Sequence, residues 1–374
     1  MATFPETRPA ALDQESPTGH SKVAVVYTRP ETVFDDYRTV MELAGCESFL
    51  PKDLTTLLKI NISWQHYYPA CSTTPWQLEG VIKALNGFGY SDLIPTHNGT
   101  VVVDAREGAF NNRHQAVEEK YGLDSLHLEE TRWTDFRPKS EMLVLDKVYP
   151  DGFQIPDALR GKNIVHLPTV KTHVFTTMTG AMKNAFGGLL NHRRHWTHSV
   201  IHETLVDLLQ IQKEIHPGLF AVVDGTLAGD GPGPRAMRWH EKNVILAGAD
   251  QVAVDAVSAK LMGFDPMSIP FIRIAHEMGL GCGQVKDIEV VGADVSEVNW
   301  GFTGSENTFF SNVQKLVYSG PLKPIEGFLV RTPLITLGIF ASNFYHNSYW
   351  LPVVGRKRVD EALKTGWGKL FKSY

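Results

Sequence analysis

Cysteine is scarce in this chain: Cys46, Cys71 and Cys282 are the only three in 374 residues, they lie far apart, and no two form a CxxC pair. Such spacing encodes neither a disulfide framework nor a cysteine-rich metal or iron–sulfur site, and it fits a reducing cytoplasm. Surplus positive charge is missing as well. A net charge of -5 argues against general nucleic-acid binding, which needs a basic surface to neutralise phosphates. No run of about eighteen apolar residues occurs. The nearest, residues 325–344, is interrupted by Glu326, Arg331, Pro333 and Asn343, so no transmembrane segment is predicted. The sequence contains no GxxxxGK[ST] phosphate loop, no HExxH pair, no dinucleotide fingerprint and no repeat of fixed period. Residues 1–21 (MATFPETRPAALDQESPTGHS) lack the apolar core of a secretory leader and read as a mobile tail, with order expected from about Lys22.

What is present is the composition of a packed globule, 43% hydrophobic and 21% charged. Short apolar runs read as buried strands: KVAVVYT, LTTLLKINIS, TVVVDA, EMLVLDKV, KNIVHLPTV, LFAVVDG, NVILAG and IEVVG. Between many of them lie helical patterns: WQLEGVIKALNGFG, RHQAVEEKYG, SVIHETLVDLLQIQKEI, DQVAVDAVSAKLMG and IPFIRIAHEMG. This alternation predicts an α/β fold, a mostly parallel twisted sheet with helices on both faces, over residues 22–297 in one or two lobes. Residues 298–374 are expected to form a mostly helical C-terminal region. Its last stretch, GRKRVDEALKTGWGKLFKSY, reads as a helix closing the domain. A second reading lays it, through its Lys, Arg, Trp367 and Phe371, on an anionic membrane surface or a neighbouring subunit.

In a parallel sheet, ligands bind beyond the carboxyl ends of the strands, and here those ends are polar. Asn61, Ser63, Gln65 and His66 follow one strand, His97 and Asn98 another, and Lys171, Thr172 and His173 a third; Asp224, Thr226 and a glycine-rich loop reaching Arg235 follow a fourth. From Lys171 to His198 the chain carries two lysines, two arginines, four histidines and five threonines but no acidic residue, an arrangement that calls for an anion. TTMTGAMKNAFGG suggests a helix start at Thr179 and Gly180 with Lys183 and Asn184 a turn later, suited to a carboxylate or phosphate; capping and close packing are the plain alternative. His192, His195, His198 and His202 would share one inward face if a single α-helix carried them, and would then serve as proton carriers, anion donors or metal ligands. Asp224 is read as a base, a metal ligand or a strand-end cap, Asp250 as a helix cap, and Asp255 as a carboxylate inside an apolar helix.

In order, LPTVKTH, TGAMKNAFGGL, a histidine-rich stretch, VVDGTLAGDGPGP and ILAGADQVAVDAVSAKLMGFDP resemble the family catalogued as domain of unknown function 362 (DUF362), specifically across residues 163–292. Upstream, KINIS is similar to the family's Lys-Pro-Asn motif, with Ile60 in place of proline. The resemblance singles out Lys59, Asn61, Lys171, His173, Thr179, Lys183, Asn184, Gly187, Asp224, Gly225, Gly233, Pro234, Asp250 and Asp255. It supplies no reaction. Many relatives carry a ferredoxin-like iron–sulfur module, which implies redox work in that company; this chain lacks the module, so electrons would have to come from a separate donor or a bound cofactor.

Three expectations follow. The first is an enzyme holding a small anionic substrate or cofactor: Lys59, Asn61, Lys171, Thr179, Asn184, Gly225, Gly233 and Arg235 bind it, and His173, Lys183, His195, His198 and Asp224 act on it. The second is an iron- or zinc-dependent oxidoreductase using His173, His195, His198, Asp224 and Asp255 as ligands. The third is a non-catalytic ligand-binding or scaffold protein whose basic run meets an acidic partner. Self-association into a homo-oligomer is compatible with each.

Overall fold

The computed structural model describes residues 21–99, 103–190, 192–304 and 340–374, together with positions 312, 318, 320, 321 and 332. Its strands are β1 (Ser21–Tyr27), β2 (Thr56–Ile60), β3 (Leu93–His97), β4 (Leu126–His127), β5 (Trp133–Phe136), β6 (Phe153–Pro156), β7 (Asn163–Leu167), β8 (Thr169–His173), β9 (Thr177–Met178), β10 (Leu219–Asp230), β11 (Arg238–Gly248) and β12 (Ile288–Gly292). The main sheet runs β12–β1–β11–β10–β7–β2–β3–β4. Its pairs are parallel except where β11 lies antiparallel between β1 and β10. β5 and β6 form a separate antiparallel ribbon. After Pro168 the chain bends away from β7, so that β8 pairs with the second half of β10 and β9 folds back on β8. The mostly parallel α/β sheet expected from the alternation is present.

Side-chain alternation explains why both faces need helices. Leu57, Ile164, Val223 and Leu246 enter one core, which the helices Ile201–Ile215 and Gln251–Met262 cover. Their neighbours Leu58, Val165, Val222 and Ile245 enter the opposite core, under the helices Val33–Leu43 and Pro75–Gly87. Burying each such side chain is worth about 1.5–3 kcal/mol, so the sheet is the source of most of the stability. Local signals fix the helix ends. Thr74 and Gln77 close a capping box with Pro75 in the first turn, Asp250 caps Val252 and Ala253, and Gly263 ends that helix in the left-handed region at φ 102°.

Several sequence expectations need correction. EMLVLDKV is not a strand: Asp207 accepts hydrogen bonds from the backbone N–H groups of Leu143, Val144 and Leu145 at 2.7, 3.0 and 3.0 Å and starts the short helix Leu145–Val148 instead. Most of DGTLAGDGPGPR is strand, because β10 continues to Asp230. Gly225 and Gly233 lie against neighbouring chain; a Cβ on Gly225 would lie 2.8 Å from the Val244 side chain, and one on Gly233 would overlap the Thr172 carbonyl. In TVVVDA, residues 100–102 lie outside the described residues and Asp104 caps the helix Ala105–Asn111. The helix Val33–Leu43 forms in addition to those expected from the sequence. Of the proposed tail, residues 1–20 lie outside the described residues, and β1 starts at Ser21.

The end of the chain is helical over Phe344–Gly355, Arg356–Ala362 and Gly366–Lys372. Trp367 and Phe371 are buried, not laid on a foreign surface. The Trp367 indole donates to Asn243 at 2.7 Å and lies 5.1 Å from Trp76, while Phe371 stacks on Tyr67 at 3.8 Å. Among the described residues no helix is long and apolar enough to cross a membrane; residues 325–331 and 333–339 of the apolar stretch lie outside them.

Candidate functional site

Four cations gather at the carboxyl edge of the sheet. Lys59, on β2, is 2% exposed and donates to the Asn98 side chain at 2.6 Å and the Ile60 carbonyl at 2.8 Å. Lys171, on β8, is 1% exposed and donates to the Thr169 hydroxyl at 2.6 Å and the Asn61 side chain at 3.3 Å. Lys183 sits in the short helix Ala181–Asn184, half-buried, with its ammonium 5.7 Å from the Phe186 ring. Arg194 is buried and donates to the Gly187 carbonyl at 3.2 Å. Glycines make room for the cluster: a Cβ on Gly188 would lie 2.9 Å from the Lys59 side chain, and one on Gly187 would lie 2.7 Å from Asn98.

None of the four forms an ion pair with a carboxylate among the described residues. The electrostatic consequence is large. Burial lowers Lys59 to about 7, with Arg194 pushing the same way, and lowers Lys183 to about 7, with Lys171 and Arg194 adding to the effect. Burial also brings Lys171 to about 8 and Arg194 to about 10. Ammonium groups removed from water and left beside one another shed protons near neutrality.

Two histidines complete the cluster. Burial holds His173 well below its ordinary value, and Lys183, His198 and Lys171 press it further; its Nδ1 accepts the Phe175 N–H at 3.2 Å. Burial lowers His198 to about 4 against the bond to the His195 carbonyl, and its ring stacks on Tyr318 and meets Phe175 and Phe186 edge-on. Both imidazoles are therefore neutral at pH 7. The single α-helical face expected for the histidines does not form, because residues 192–200 make a 3₁₀-helix and the α-helix begins at Ile201. The buried positions before that start are Arg194 and Thr197; His195 lies half-buried, edge-on to Trp196, and His202 stacks on Phe271.

Of the other expected binders, Asn184 donates to the Lys59 carbonyl at 2.9 Å, and the Thr179 N–H donates to the Lys171 carbonyl at 3.0 Å. Asn61 accepts from Ser63 at 3.1 Å, and Arg235 donates to the Ser63 carbonyl at 3.3 Å, which places them beside Lys171. His97 is turned toward Glu118, 2.6 Å away, in a separate group with His114 and His127.

The nearest carboxylates form no ion pair with these cations: Glu129 favours charge on Lys59 and Arg194, and Asp224 favours it on Lys171. Asp224 is fully buried on the opposite face of the sheet and accepts five hydrogen bonds: from Tyr37, Thr74 and Trp76 at 2.9, 2.6 and 2.9 Å, and from the Thr226 backbone and hydroxyl at 2.7 and 2.6 Å. Asp255 accepts the N–H groups of Ala181 and Met182 at 2.6 and 3.1 Å, and burial pushes it up to about 8. The expected helix start is thus occupied by the chain's own carboxyl group. Asp250 caps its helix as expected and also accepts from Ser21 and the Cys282 N–H. Among the described residues no three His, Cys, Asp or Glu side chains gather as metal ligands, and Asp224 and Asp255 do not join His173, His195 and His198 in such a set.

Because Asp255 holds the segment that carries Lys183, Asp255→Ala should leave two buried N–H groups without acceptors and lower unfolding stability by about 2–5 kcal/mol. Urea denaturation measures this; a loss below about 1 kcal/mol would mean that other acceptors replace it.

Residues 56–260 match the model of the family described as Domain of unknown function (DUF362). The chain belongs to this family. It is also similar to a thylakoid-associated protein of Synechocystis sp., with 29% identity over 249 residues that cover 65% of this chain and 74% of that one. The DUF362 match contains Lys59, Lys171, Lys183, Arg194, His173, His198 and both buried carboxylates, whereas residues 340–374 lie outside it.

Arg194 and its partner Gly187 belong to the cluster, yet only Gly187 had been singled out, and by resemblance. Apart from its place in the basic run, no local signal marks Arg194, because an i,i+3 spacing to Thr197 fits an α-helix as well as the 3₁₀-helix that forms. Tyr37, Thr74 and Trp76 around Asp224 had no local signal, since they lie 187, 150 and 148 residues away in sequence.

Proposed function

We propose that this DUF362 protein is an enzyme that binds a small anionic molecule, a carboxylate or phosphate, among Lys59, Lys171, Lys183 and Arg194. The observation that supports the reading is a set of desolvated cations, none of which forms an ion pair with a carboxylate among the described residues, with Glu129 and Asp224 acting on them only from a distance. Buried charge of one sign is costly, and a ligand of opposite sign relieves the cost. Asn61, Asn98, Thr179 and Asn184 supply neutral polar groups around it. His173 and His198, neutral at pH 7, and lysines poised near neutrality are suited to exchange protons with a bound substrate.

The test is thermal unfolding with inorganic phosphate, pyrophosphate, oxalate and citrate, each against chloride at matched ionic strength. At least one should raise the midpoint more than chloride does; a ligand at a hundred times its Kd contributes about 2.7 kcal/mol. The gain should be greater at pH 6.5 than at pH 9, because Lys59 and Lys183 titrate near 7 and Lys171 near 8, and the neutral amines attract anions less. Equality with chloride across all four probes would remove the anion site.

A further inference from the structure

The helix Phe344–Gly355 is held on its inner side. Trp350 is buried, 6.2 Å from Trp64 and 5.4 Å from Tyr68, and the Trp64 indole donates to Asn347 at 2.8 Å. Its outer side is apolar and open: Phe340 is 70% exposed, Phe344 60%, Tyr349 55% and Val353 62%. From Phe344 the helix is wound with wide, π-type turns, in which residues four and five apart share a line; Phe344, Tyr349 and Val353 follow that spacing, and Phe340 stands four residues before Phe344. The row continues into Arg356 and Lys357, both exposed. No aspartate or glutamate occurs from residue 327 to residue 359, although the whole chain has a net charge of -5.

We propose that this face docks on an anionic lipid bilayer surface, with Phe340, Phe344 and Val353 entering the headgroup–acyl boundary, Tyr349 at its polar margin, and Arg356 and Lys357 on the lipid phosphates. Among the described residues no helix is long and apolar enough to cross a bilayer, so this one lies in the interface. Charge selects the occupant. A second copy pairing through the same face would set its apolar row, which carries no carboxylate, against Arg356 and Lys357, since the exposed Asp360 and Glu361 lie beyond the row, and the outward bulge of a helix offers a small molecule no enclosure. A lipid surface satisfies both the aromatic row and the cations.

The experiment is co-sedimentation of the full chain with vesicles of phosphatidylcholine alone and of phosphatidylcholine mixed with phosphatidylglycerol. Binding is expected to the mixed vesicles, weaker at high salt, and little to the neutral ones. The double variants Phe340→Ser with Phe344→Ser, and Arg356→Gln with Lys357→Gln, should each weaken it about tenfold or more. All four positions are exposed, so an unchanged thermal midpoint verifies the fold. Three results would overturn the proposal: no binding to either vesicle, binding that both variants retain, or equal binding to neutral vesicles. A wild-type dimer in light scattering that the phenylalanine variant splits, without vesicle binding, would assign the face to a second copy.

Discussion

Lys183→Met is expected to do two things at once: raise the stability of the ligand-free chain and abolish its stabilisation by anions. The first follows from the sign of the pKa shift. Lys183 is lowered to about 7 in the folded chain, below the ordinary lysine value, so folding opposes its charge. That cost is fully present below pH 7, where the amine is protonated both folded and unfolded. It fades as pH rises from 7 toward 10, where the unfolded chain still holds the proton and the folded chain does not. The advantage of the methionine variant should therefore be largest at or below pH 7 and shrink toward pH 10. Methionine keeps the flexible apolar stem over Phe186, so packing changes little. Urea denaturation across this range and thermal unfolding with and without phosphate measure both effects. A variant less stable than the wild type at pH 6.5, or one still stabilised by the anion, would show that Lys183 is not a strained member of an anion site.

The largest loss of stability is expected from Asp224→Ala. Tyr37, Thr74, Trp76 and Thr226 would leave five buried donors facing an alanine, and each unsatisfied donor costs about 1–3 kcal/mol before relaxation. With partial compensation we expect a loss of about 4 kcal/mol or more, enough to prevent folding in a marginally stable chain. Asp224→Asn, which keeps one acceptor oxygen but turns an amide toward donors, should fall between. The measurement is the urea midpoint, with the tryptophan environment followed by near-ultraviolet circular dichroism. If Asp224→Ala folded with wild-type stability while anion binding was lost, Asp224 would belong to the site rather than to the scaffold.

Much of the sheet was legible because a buried parallel strand is a short apolar run whatever its neighbours: KVAVVYT, KNIVHLPTV and LFAVVDG became β1, β7 and β10. Direction was not legible, since NVILAG has the same composition as its parallel neighbours yet runs against them as β11. EMLVLDKV shows the limit from another side, for a carboxylate some sixty residues downstream, Asp207, turned an apolar run into a helical turn. Within the site, Lys59, Lys171 and Lys183 were recognisable as cations out of place in apolar surroundings. Asp224 looked equally out of place, and its role could be told apart only by which face of the sheet it occupies. Residues 222 and 224 share one face and residues 221 and 223 the other, so a shift of a single position moves a carboxylate from one face of the sheet to the other. Arg194 carries no such mark, because its burial depends on residues 192–200 forming a 3₁₀-helix rather than an α-helix.

Natural sequences fold reliably when their local preferences agree with one another, and the corner formed by Lys59, Lys171, Lys183 and Arg194 is where this chain disagrees with itself. Repulsion there works against the apolar order of the sheet beside it. On the proposed reading, a counter-ion drawn from the surrounding solution acts as a missing piece of the polypeptide, so that the durability of the fold and the presence of that ion rise and fall together.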